Sequence, residues 1–210
     1  MDKELRAVIF DFGMVLSLPQ DEAAIASMAA ICRLPVEVFG REYFARRQEL
    51  DQGTVDAAAY WSRILSLSGV RATREAIRSL SALDIASWTR MNPRILGWAG
   101  ELRAAGMRTA ILSNMPADCV EYLNREASWM ADFEVRVFSA DVSMAKPQEG
   151  IYRHCLARLG LEPVETLFLD DLPRNVEAAD RIGIRTILFR SSGQVAGEAA
   201  GLGLPVTRLR

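Results

Sequence analysis

The sequence has few cysteines and one histidine, which excludes several kinds of site. Its 210 residues include three widely spaced cysteines, Cys32, Cys119 and Cys155, with no Cys-x-x-Cys pair. An odd, dispersed set of cysteines predicts neither a disulfide framework nor a zinc site, so we expect buried free thiols in a reducing cytosol. His154 lies within a predicted helix and is expected to be on its surface or in helix packing.

The chain also lacks long apolar runs and an excess of charge of either sign. No apolar stretch approaches the roughly 20 residues of a membrane span, and the charged amino terminus leads into a run too short for a signal peptide. The formal net charge of −2 gives no field that would attract nucleic acid or an anionic membrane. We expect a cytoplasmic monomer or homodimer that binds neither.

Beyond about residue 92 the sequence repeats a helix, a glycine and an apolar strand. Glycine just past a helix end can take the left-handed conformation that other residues resist. The predicted helices and their glycines are residues 94–105 with Gly106, 152–159 with Gly160, and 178–182 with Gly183. The strands that follow them are residues 108–112, 166–169 and 185–189. Apolar strands without polar alternation indicate a doubly wound parallel α/β sheet covered by helices on both faces.

Residues 18–91 show helical periodicity and no convincing strand. The predicted helices are residues 21–32, 35–50, 55–68 and 73–90. Because a first strand, residues 7–10, precedes this segment and its parallel partners follow it, the helices form an insertion. The predicted division is an α/β core of residues 1–17 and 92–210 with an inserted helical domain of residues 18–91.

The inserted segment carries no readable substrate motif. Its second helix contains basic and aromatic residues, which we expect to form an ordinary solvated face, although a substrate-selecting arginine or tyrosine could lie there. These residues are Arg41, Tyr43, Phe44, Arg46 and Arg47. The four tryptophans are scattered along the chain and are expected to pack in the core; they are Trp61, Trp88, Trp98 and Trp129.

Polar residues follow three of the predicted strands. Asp11 ends the apolar run of residues 7–10, Ser113 and Asn114 follow residues 109–112, and Asp170 and Asp171 follow residues 166–169. Open α/β sheets carry their chemistry at the carboxyl ends of the strands, so these side chains are predicted to meet at one edge.

In this order, Asp11, Ser113, Lys146 and the Asp170–Asp171 pair resemble the four motifs of the haloacid-dehalogenase (HAD) superfamily, most of whose members are Mg-dependent phosphatases. The resemblance implies a Rossmann-like core with a helical cap between the first and second motifs. From the residues alone, a turn-capping Asp11 and a solvated Lys146 are the simpler interpretations.

The resemblance assigns a role to each of these residues. It makes Asp11 the nucleophile, which forms an aspartyl-phosphate intermediate. It places Ser113 and Asn114, with neighbouring backbone amides, on the phosphoryl oxygens. Lys146 becomes the cation that offsets the charge of Asp11 and the phosphate.

The acidic pair indicates the cofactor. Asp11, Asp170 and Asp171 carry three negative charges, which Lys146 and one divalent cation would together balance. Carboxylate oxygens of this kind suit Mg²⁺.

The metal ligands implied by the resemblance are Asp11, the backbone carbonyl of Gly13, and Asp171. Asp170 is expected to support the metal through water or Lys146, and Asn175 to help order the site.

Gly13 departs from the usual family pattern. Most family phosphatases have a second aspartate two residues after the nucleophile, which acts as general acid and base and is worth roughly two to four powers of ten in rate. Its loss should hurt least for leaving groups that depart easily, such as anomeric sugar, acyl or aryl oxygens. The D-x-G-x-V form resembles a subset that includes sugar-1-phosphate phosphatases.

The function predicted from the sequence is Mg-dependent hydrolysis of a phosphomonoester, with a small phosphorylated metabolite, such as a sugar phosphate, as the substrate. One alternative is a 2-haloacid dehalogenase, which uses the same aspartate but needs no metal and has a different fourth motif. Another is a catalytically weak regulatory or interaction protein on the same fold, but the intact motif residues argue against it.

Overall fold

A parallel sheet of five strands lies at the centre of the structure, a computed structural model that describes residues 4–209. The strand order is β3-β2-β1-β4-β5, and every pairing is parallel. The strands are β1 (Ala7–Phe10), β2 (Arg108–Ser113), β3 (Val135–Phe138), β4 (Thr166–Asp170) and β5 (Arg185–Leu188).

Helices surround this sheet and fill the long connection after β1. That connection contains α1 (Glu22–Ile31), α2 (Val36–Ala45), α3 (Arg47–Asp51), α4 (Ala57–Ser66) and α5 (Arg74–Trp88). The later helices are α6 (Pro93–Ala104), α7 (Ala117–Glu126), α8 (Ser139–Val142), α9 (Glu149–Leu159), α10 (Pro173–Arg181) and α11 (Ser192–Gly201). Irregular or 3-10 turns cover Phe12–Leu16, Ser128–Asp132, Pro163–Glu165 and Thr207–Leu209.

β1 is the central strand, and its side chains alternate between two hydrophobic clusters. Val8 and Phe10 pack on one face with α6, α7 and α11, while Ala7 and Ile9 pack on the other with α9 and α10. All four residues of β1 are fully buried. This explains why the strand reads as a continuous apolar run, and the predicted doubly wound α/β fold is confirmed.

Helices α1–α5 have a hydrophobic cluster of their own, centred on large buried side chains such as Met28, Phe39 and Trp61. The chain enters and leaves this segment through an isolated antiparallel bridge between Ser17 and Met91. The division of the chain into two domains stays a prediction.

Some predictions of helix ends and element bounds are confirmed, and others are wrong. Gly106, Gly160 and Gly183 have φ of +84°, +61° and +87°, so the left-handed helix ends are confirmed. The single helix predicted over residues 35–50 is wrong, because α2 and α3 are separated at Arg46, where φ is −130°. β3 was not predicted, since Arg136 interrupts its short apolar run at the edge of the sheet.

The break between α2 and α3 directs Arg47 into a buried polar network. Arg47 Nη1 donates to both carboxylate oxygens of Asp84, at 2.9 and 2.7 Å, and its Nε donates to Asp51 at 2.8 Å. The hydroxyl of Tyr43 donates to Asp84 at 2.5 Å. The expected solvated face is therefore wrong for Tyr43 and Arg47, because Tyr43 is fully buried and the Arg47 side chain is only 15% exposed.

The three cysteines, Cys32, Cys119 and Cys155, are buried and unpaired, as predicted. Among residues 4–209, no single helix is long and apolar enough to cross a membrane; α1 and α2 reach that length and composition only as a pair bent by 94°.

We predict that Arg47→Met lowers the free energy of unfolding by about 3 kcal/mol, because it leaves the buried carboxylate of Asp84 without its cation. For a chain of this size the melting temperature should fall by about 6–12 °C, which thermal denaturation monitored by circular dichroism would measure. Arg46→Met is the matched control, since Arg46 forms only an exposed ion pair with Glu49. Equal losses in both variants would contradict the structural role of the network.

Candidate active site

Asp11 lies at the carboxyl end of β1 and is held there by backbone and side-chain bonds. Its N–H donates to the carbonyl of Leu169 at 2.9 Å, and its Oδ1 accepts from the N–H of Phe12 at 2.6 Å. In the sheet register, Phe10 lies opposite both Ile111 and Leu169. The residues that follow β1, β2 and β4 therefore reach the same edge, as the sequence pattern predicted.

Lys146 joins two of the carboxylates at this edge. Its Nζ lies 2.7 Å from Asp11 Oδ1 and 2.6 Å from Asp170 Oδ2, and its side chain is 1% exposed. The backbone of Lys146 is fixed by Asn114, whose amide accepts from Lys146 N–H at 2.8 Å and donates to Lys146 carbonyl at 2.9 Å. The buried ammonium group is thus anchored by the loop that follows β2.

The two aspartates after β4 are placed differently. Asp170 is fully buried and accepts bonds from Lys146, from the N–H of Leu172 at 2.9 Å and from the Asn175 amide at 2.9 and 3.1 Å. Asp171 is partly exposed and lines the cavity described below. Of these two aspartates, Asp171 is therefore the one whose carboxylate a ligand in the cavity can reach.

Burial and charge crowding shift the pKa values of this cluster. Burial raises the pKa of Asp11 to about 7, although the neighbouring Lys146 lowers it. Burial and the charge of Asp170 raise the pKa of Asp171 above its usual value. Burial opposes the charged form of Lys146, but Asp11 and Asp170 together raise its pKa above the ordinary value. The cluster is short of positive charge, because one ammonium group faces three carboxylates.

Asp11, Asp170 and Asp171 could hold a metal ion, since one oxygen from each lies within 4.8 Å of the others. Asn175 Oδ1 is a buried acceptor that has no hydrogen-bond partner within residues 4–209. The Nδ2 of the same amide is bonded to Asp170. A buried carbonyl oxygen without a donor has to be satisfied by a bound water or ligand, which fits a hydrated cation at this place.

Ser113 and Asn114 lie where β2 ends, on the same cavity as Asp11. Ser113 is 2% exposed, and its hydroxyl makes only a long contact, 3.5 Å, with the carbonyl of Asn114. The Ser113 hydroxyl can therefore turn toward a ligand. Asn114 uses its side-chain amide on the Lys146 backbone, so its part in the site is to position Lys146 rather than to bind a ligand with that amide.

Gly13 has φ of −62° and ψ of 136°, a conformation open to every residue. A β-carbon built there would lie 3.6 Å from the indole ring of Trp88, which is an ordinary contact. The position where most family phosphatases have an acid therefore faces a tryptophan of the helical segment. Met14, the next residue, has φ of +62° and is exposed at the cavity.

A cavity of about 670 Å³ lies between the sheet edge and the helical segment. The predicted residues that line it are Asp11, Gly13, Ser113, Asn114, Lys146, Asp171 and Asn175. The others are Phe12, Met14, Phe44, Ala45, Arg47, Gln48, Asp51, Trp88, Met115, Pro116, Cys119, Leu172 and Arg174. Trp88 packs against the hydrophobic cluster on the Val8 and Phe10 face of the sheet, as expected, and it also lines this cavity, which was not predicted. No sequence signal marks it, because its role depends on how the inserted helices fold back over the sheet.

The side chain of Ser139 connects the helical segment to the loop that ends β2 through two hydrogen bonds. Its hydroxyl donates to the carbonyl of Asp51 at the end of α3 and accepts from the N–H of Met115 at 2.9 Å. Met115 follows Ser113 and Asn114 in the same loop. One hydroxyl group therefore links the helical wall of the cavity to the loop that ends β2.

The chain is similar to known proteins over part of its length. The chain is 34% identical over 123 residues to acyl-CoA dehydrogenase family member 10 of Mus musculus, a match that covers 56% of this chain but 11% of that protein. It is 26% identical over 152 residues to phosphoglycolate phosphatase of Pectobacterium atrosepticum, covering 72% of this chain and 64% of the relative. The chain thus spans a small part of the first relative and about two thirds of the second.

The fold is found among solved structures. A HAD family enzyme of Bacteroides thetaiotaomicron, solved in complex with magnesium and inorganic phosphate, superimposes with a TM-score of 0.73 at 20% identity, covering 89% of this chain and 94% of the other. The family model of haloacid dehalogenase-like hydrolases matches residues 5–183, most of the chain. On that match, and with the sheet, the acidic cluster and the buried lysine in agreement, the chain belongs to the haloacid dehalogenase-like hydrolases.

Proposed function

We propose that this hydrolase cleaves phosphomonoesters through an aspartyl-phosphate intermediate. The observation that carries the proposal is the cluster at the sheet edge, where the ammonium of Lys146 lies between Asp11 and Asp170 while Asp171 opens onto the same cavity. A site rich in acid with a single cation is suited to a dianionic phosphate only when a further cation is bound.

Asp11 is the proposed nucleophile. Its Oδ1 accepts from Phe12 and Lys146, so Oδ2 is the oxygen that we assign to the attack on phosphorus. A bond forms between this oxygen and phosphorus, the bond between phosphorus and the ester oxygen breaks, and the alcohol leaves with a proton from solvent. Water then attacks the phosphorus and gives up a proton to solvent, the bond between phosphorus and Asp11 Oδ2 breaks, and inorganic phosphate and the Asp11 carboxylate are released.

Two groups are proposed to hold the phosphoryl oxygens during both steps. The hydroxyl of Ser113 is one, because it has no short bond within the described chain. The ammonium of Lys146 is the other, and it would stabilise the negative charge that grows on these oxygens. Asn114 keeps Lys146 in place through two backbone bonds.

Mg²⁺ fits the donor set, which consists of carboxylates with a buried amide oxygen beside them. Asp11, the carbonyl of Gly13 and Asp171 are the proposed ligands, with Asp170 and Asn175 in support. When bound, the ion neutralises carboxylate and phosphate charge and so lets the two anions approach each other.

The substrate is proposed to be a small phosphorylated metabolite. A sugar phosphate, which the D-x-G-x-V pattern favours, stays a prediction. The helices over the cavity would act as a cap that excludes bulk water from the site.

The dehalogenase alternative has less support in the cavity. A 2-haloacid carries a carboxylate that needs a cationic partner, and Arg47 is the arginine that the helical segment presents there. Its guanidinium already pairs with Asp84 and Asp51. Metal-free release of chloride from 2-chloropropionate would favour this alternative over phosphate hydrolysis.

We predict that Asp11→Asn abolishes phosphate release while the protein stays folded, because the amide keeps the shape of the side chain and loses the nucleophile. A colorimetric phosphate assay over a panel of sugar, acyl and aryl phosphates, with Mg²⁺ present, would measure this. Chelation by EDTA should stop the wild-type reaction, and added Mg²⁺ should restore it. Wild-type turnover by Asp11→Asn would remove Asp11 from the mechanism.

Binding of Mg²⁺ should stabilise the fold even without substrate. At about 100 times the dissociation constant, a ligand that binds only the folded state adds about 2.7 kcal/mol, a rise of about 5–10 °C in melting temperature. We expect Asp171→Asn to lose most of this rise, since one charged ligand is gone. Glu177→Gln, an exposed change on α10, the helix that follows Asp171, is the control; if Asp171→Asn behaves like it, the ligand assignment is wrong.

The absence of an acidic side chain at Gly13 should determine which phosphate esters the protein cleaves fastest. Without a general acid, the rate should fall steeply as the pKa of the leaving group rises, so aryl and anomeric phosphates should be cleaved faster than primary alkyl phosphates. The backbone of Gly13 accepts a β-carbon. We therefore expect Gly13→Asp to raise kcat/KM for alkyl phosphates by about tenfold or more.

Gly13→Asn provides the matched control, because it adds a side chain of the same size that cannot donate a carboxyl proton. The two variants should differ on alkyl phosphates and agree on aryl phosphates. Equal rates of the wild type on alkyl and anomeric phosphates would show that another group already supplies the proton.

A further inference from the structure

Exposed apolar side chains converge on the mouth of the cavity. Residues 4–209 have seven large apolar side chains that are strongly exposed, and three of them, Met14, Phe44 and Leu172, line this one cavity. Phe44 is the most exposed of the seven, at 57%. Single exposed apolar side chains need no explanation, but several that surround one cavity indicate a surface that a ligand covers.

The three side chains come from different parts of the fold. Met14 belongs to the turn after β1, Phe44 to α2, and Leu172 to the loop between β4 and α10. Trp88, at the end of α5, lines the same cavity and lies next to Gly13. Apolar side chains therefore share the cavity with the residues proposed to hold the phosphate, so the leaving group of a bound substrate can contact them.

The helical segment forms one wall of the cavity, and its charged side chains there, Arg47 and Asp51, are already paired. Arg47 is enclosed by the carboxylates of Asp84 and Asp51, at 2.7 and 2.8 Å, so two negative charges face one positive charge. The other arginine on the cavity, Arg174 of α10, is exposed, and its charge lowers the pKa of Asp171. A second anionic group on the substrate would find no spare cation on the helical wall within the described chain, and it would lie near two carboxylates.

We propose that the substrate is a phosphate ester of an apolar, uncharged alcohol, whose aryl or alkyl group lies against Met14, Phe44 and Leu172. This inference rests on the proposed phosphatase function and narrows its substrate class. It favours an apolar leaving group over a sugar, because Arg47 and Asp51 on that wall are paired with each other and not with a ligand. It also disfavours substrates with a second phosphate or a carboxylate.

The test uses phenyl phosphates that differ in the para substituent while the leaving phenols keep nearly equal acidity. The purified protein with Mg²⁺ is given the 4-methyl, 4-ethyl and 4-butyl esters, with the 4-hydroxymethyl and 4-carboxymethyl esters for comparison. Each methylene that leaves water should raise kcat/KM by about twofold to fourfold. The 4-carboxymethyl ester should be at least about tenfold poorer than the 4-ethyl ester, because it would place a charged group against the apolar side chains of Met14, Phe44 and Leu172.

Phe44→Gln tests the surface itself. This variant should lower the ratio of kcat/KM for the 4-butyl ester to that for the 4-methyl ester by about fivefold or more, and the loss for the 4-butyl ester should exceed the loss for the 4-hydroxymethyl ester. Leu67→Gln is the matched control, because Leu67 is a similarly exposed apolar residue of the helical segment, at 52%, that does not line the cavity. A flat dependence on chain length, or an equal effect of Phe44→Gln on every ester, would overturn the proposal.

A binding measurement separates this proposal from the phosphatase assignment. Calorimetry with the Asp11→Asn variant and butyl-, hexyl- and octylphosphonate should show affinity that rises with chain length, whether or not any ester is hydrolysed. If hydrolysis proceeds and affinity is independent of chain length, the apolar substrate class is wrong and the phosphatase stands. If no ester is cleaved while affinity still rises with chain length, the phosphatase assignment fails and the apolar binding surface remains.

Discussion

One ammonium group, that of Lys146, allows two buried carboxylates from neighbouring strands to lie side by side. Parallel pairing of β1 with β4 brings Asp11 and Asp170 to the same edge of the sheet, where like charges at such short range would oppose each other's ionisation. Lys146 comes from a separate loop and is itself held through its backbone by Asn114. The segments that follow β1, β2 and β4 are therefore coupled. The loop after β2 positions Lys146, and Lys146 pairs with the acids at the ends of β1 and β4.

The helical segment separates its charges from its apolar surface. Inside it, Arg47 is surrounded by two carboxylates and the Tyr43 hydroxyl, and its pKa is raised well above the usual value although burial alone would lower it. Toward the cavity it presents the exposed ring of Phe44 and the indole of Trp88. The charges of Arg47 and Asp51 are thus paired with each other, while two aromatic side chains, Phe44 and Trp88, line the same cavity.

The sheet and the acids at its edge could be predicted from the sequence because they depend on local patterns. The run of residues 7–10 is buried on both faces, and its position in a parallel sheet determines where Asp11 and Asp171 emerge. The break at Arg46 could not be predicted, since it accompanies the pairing of Arg47 with Asp84, 37 residues away, and local periodicity does not report such a contact. Trp88 meets Gly13 only after five helices have packed, and such contacts leave no periodic signal.

The bridge between Ser17 and Met91 brings the two ends of the helical segment together. Two further backbone bonds lie beside it, from Leu18 N–H to the Arg90 carbonyl and from Asn92 N–H to the Leu16 carbonyl. The seventy-odd residues between these ends therefore form a closed loop that begins and ends at the same place on the sheet domain. The entropy cost of closing such a loop changes slowly with its length. This segment can therefore be lengthened, shortened or exchanged at little cost to the strands, so the helices above the cavity can vary while the acidic edge of the sheet stays the same.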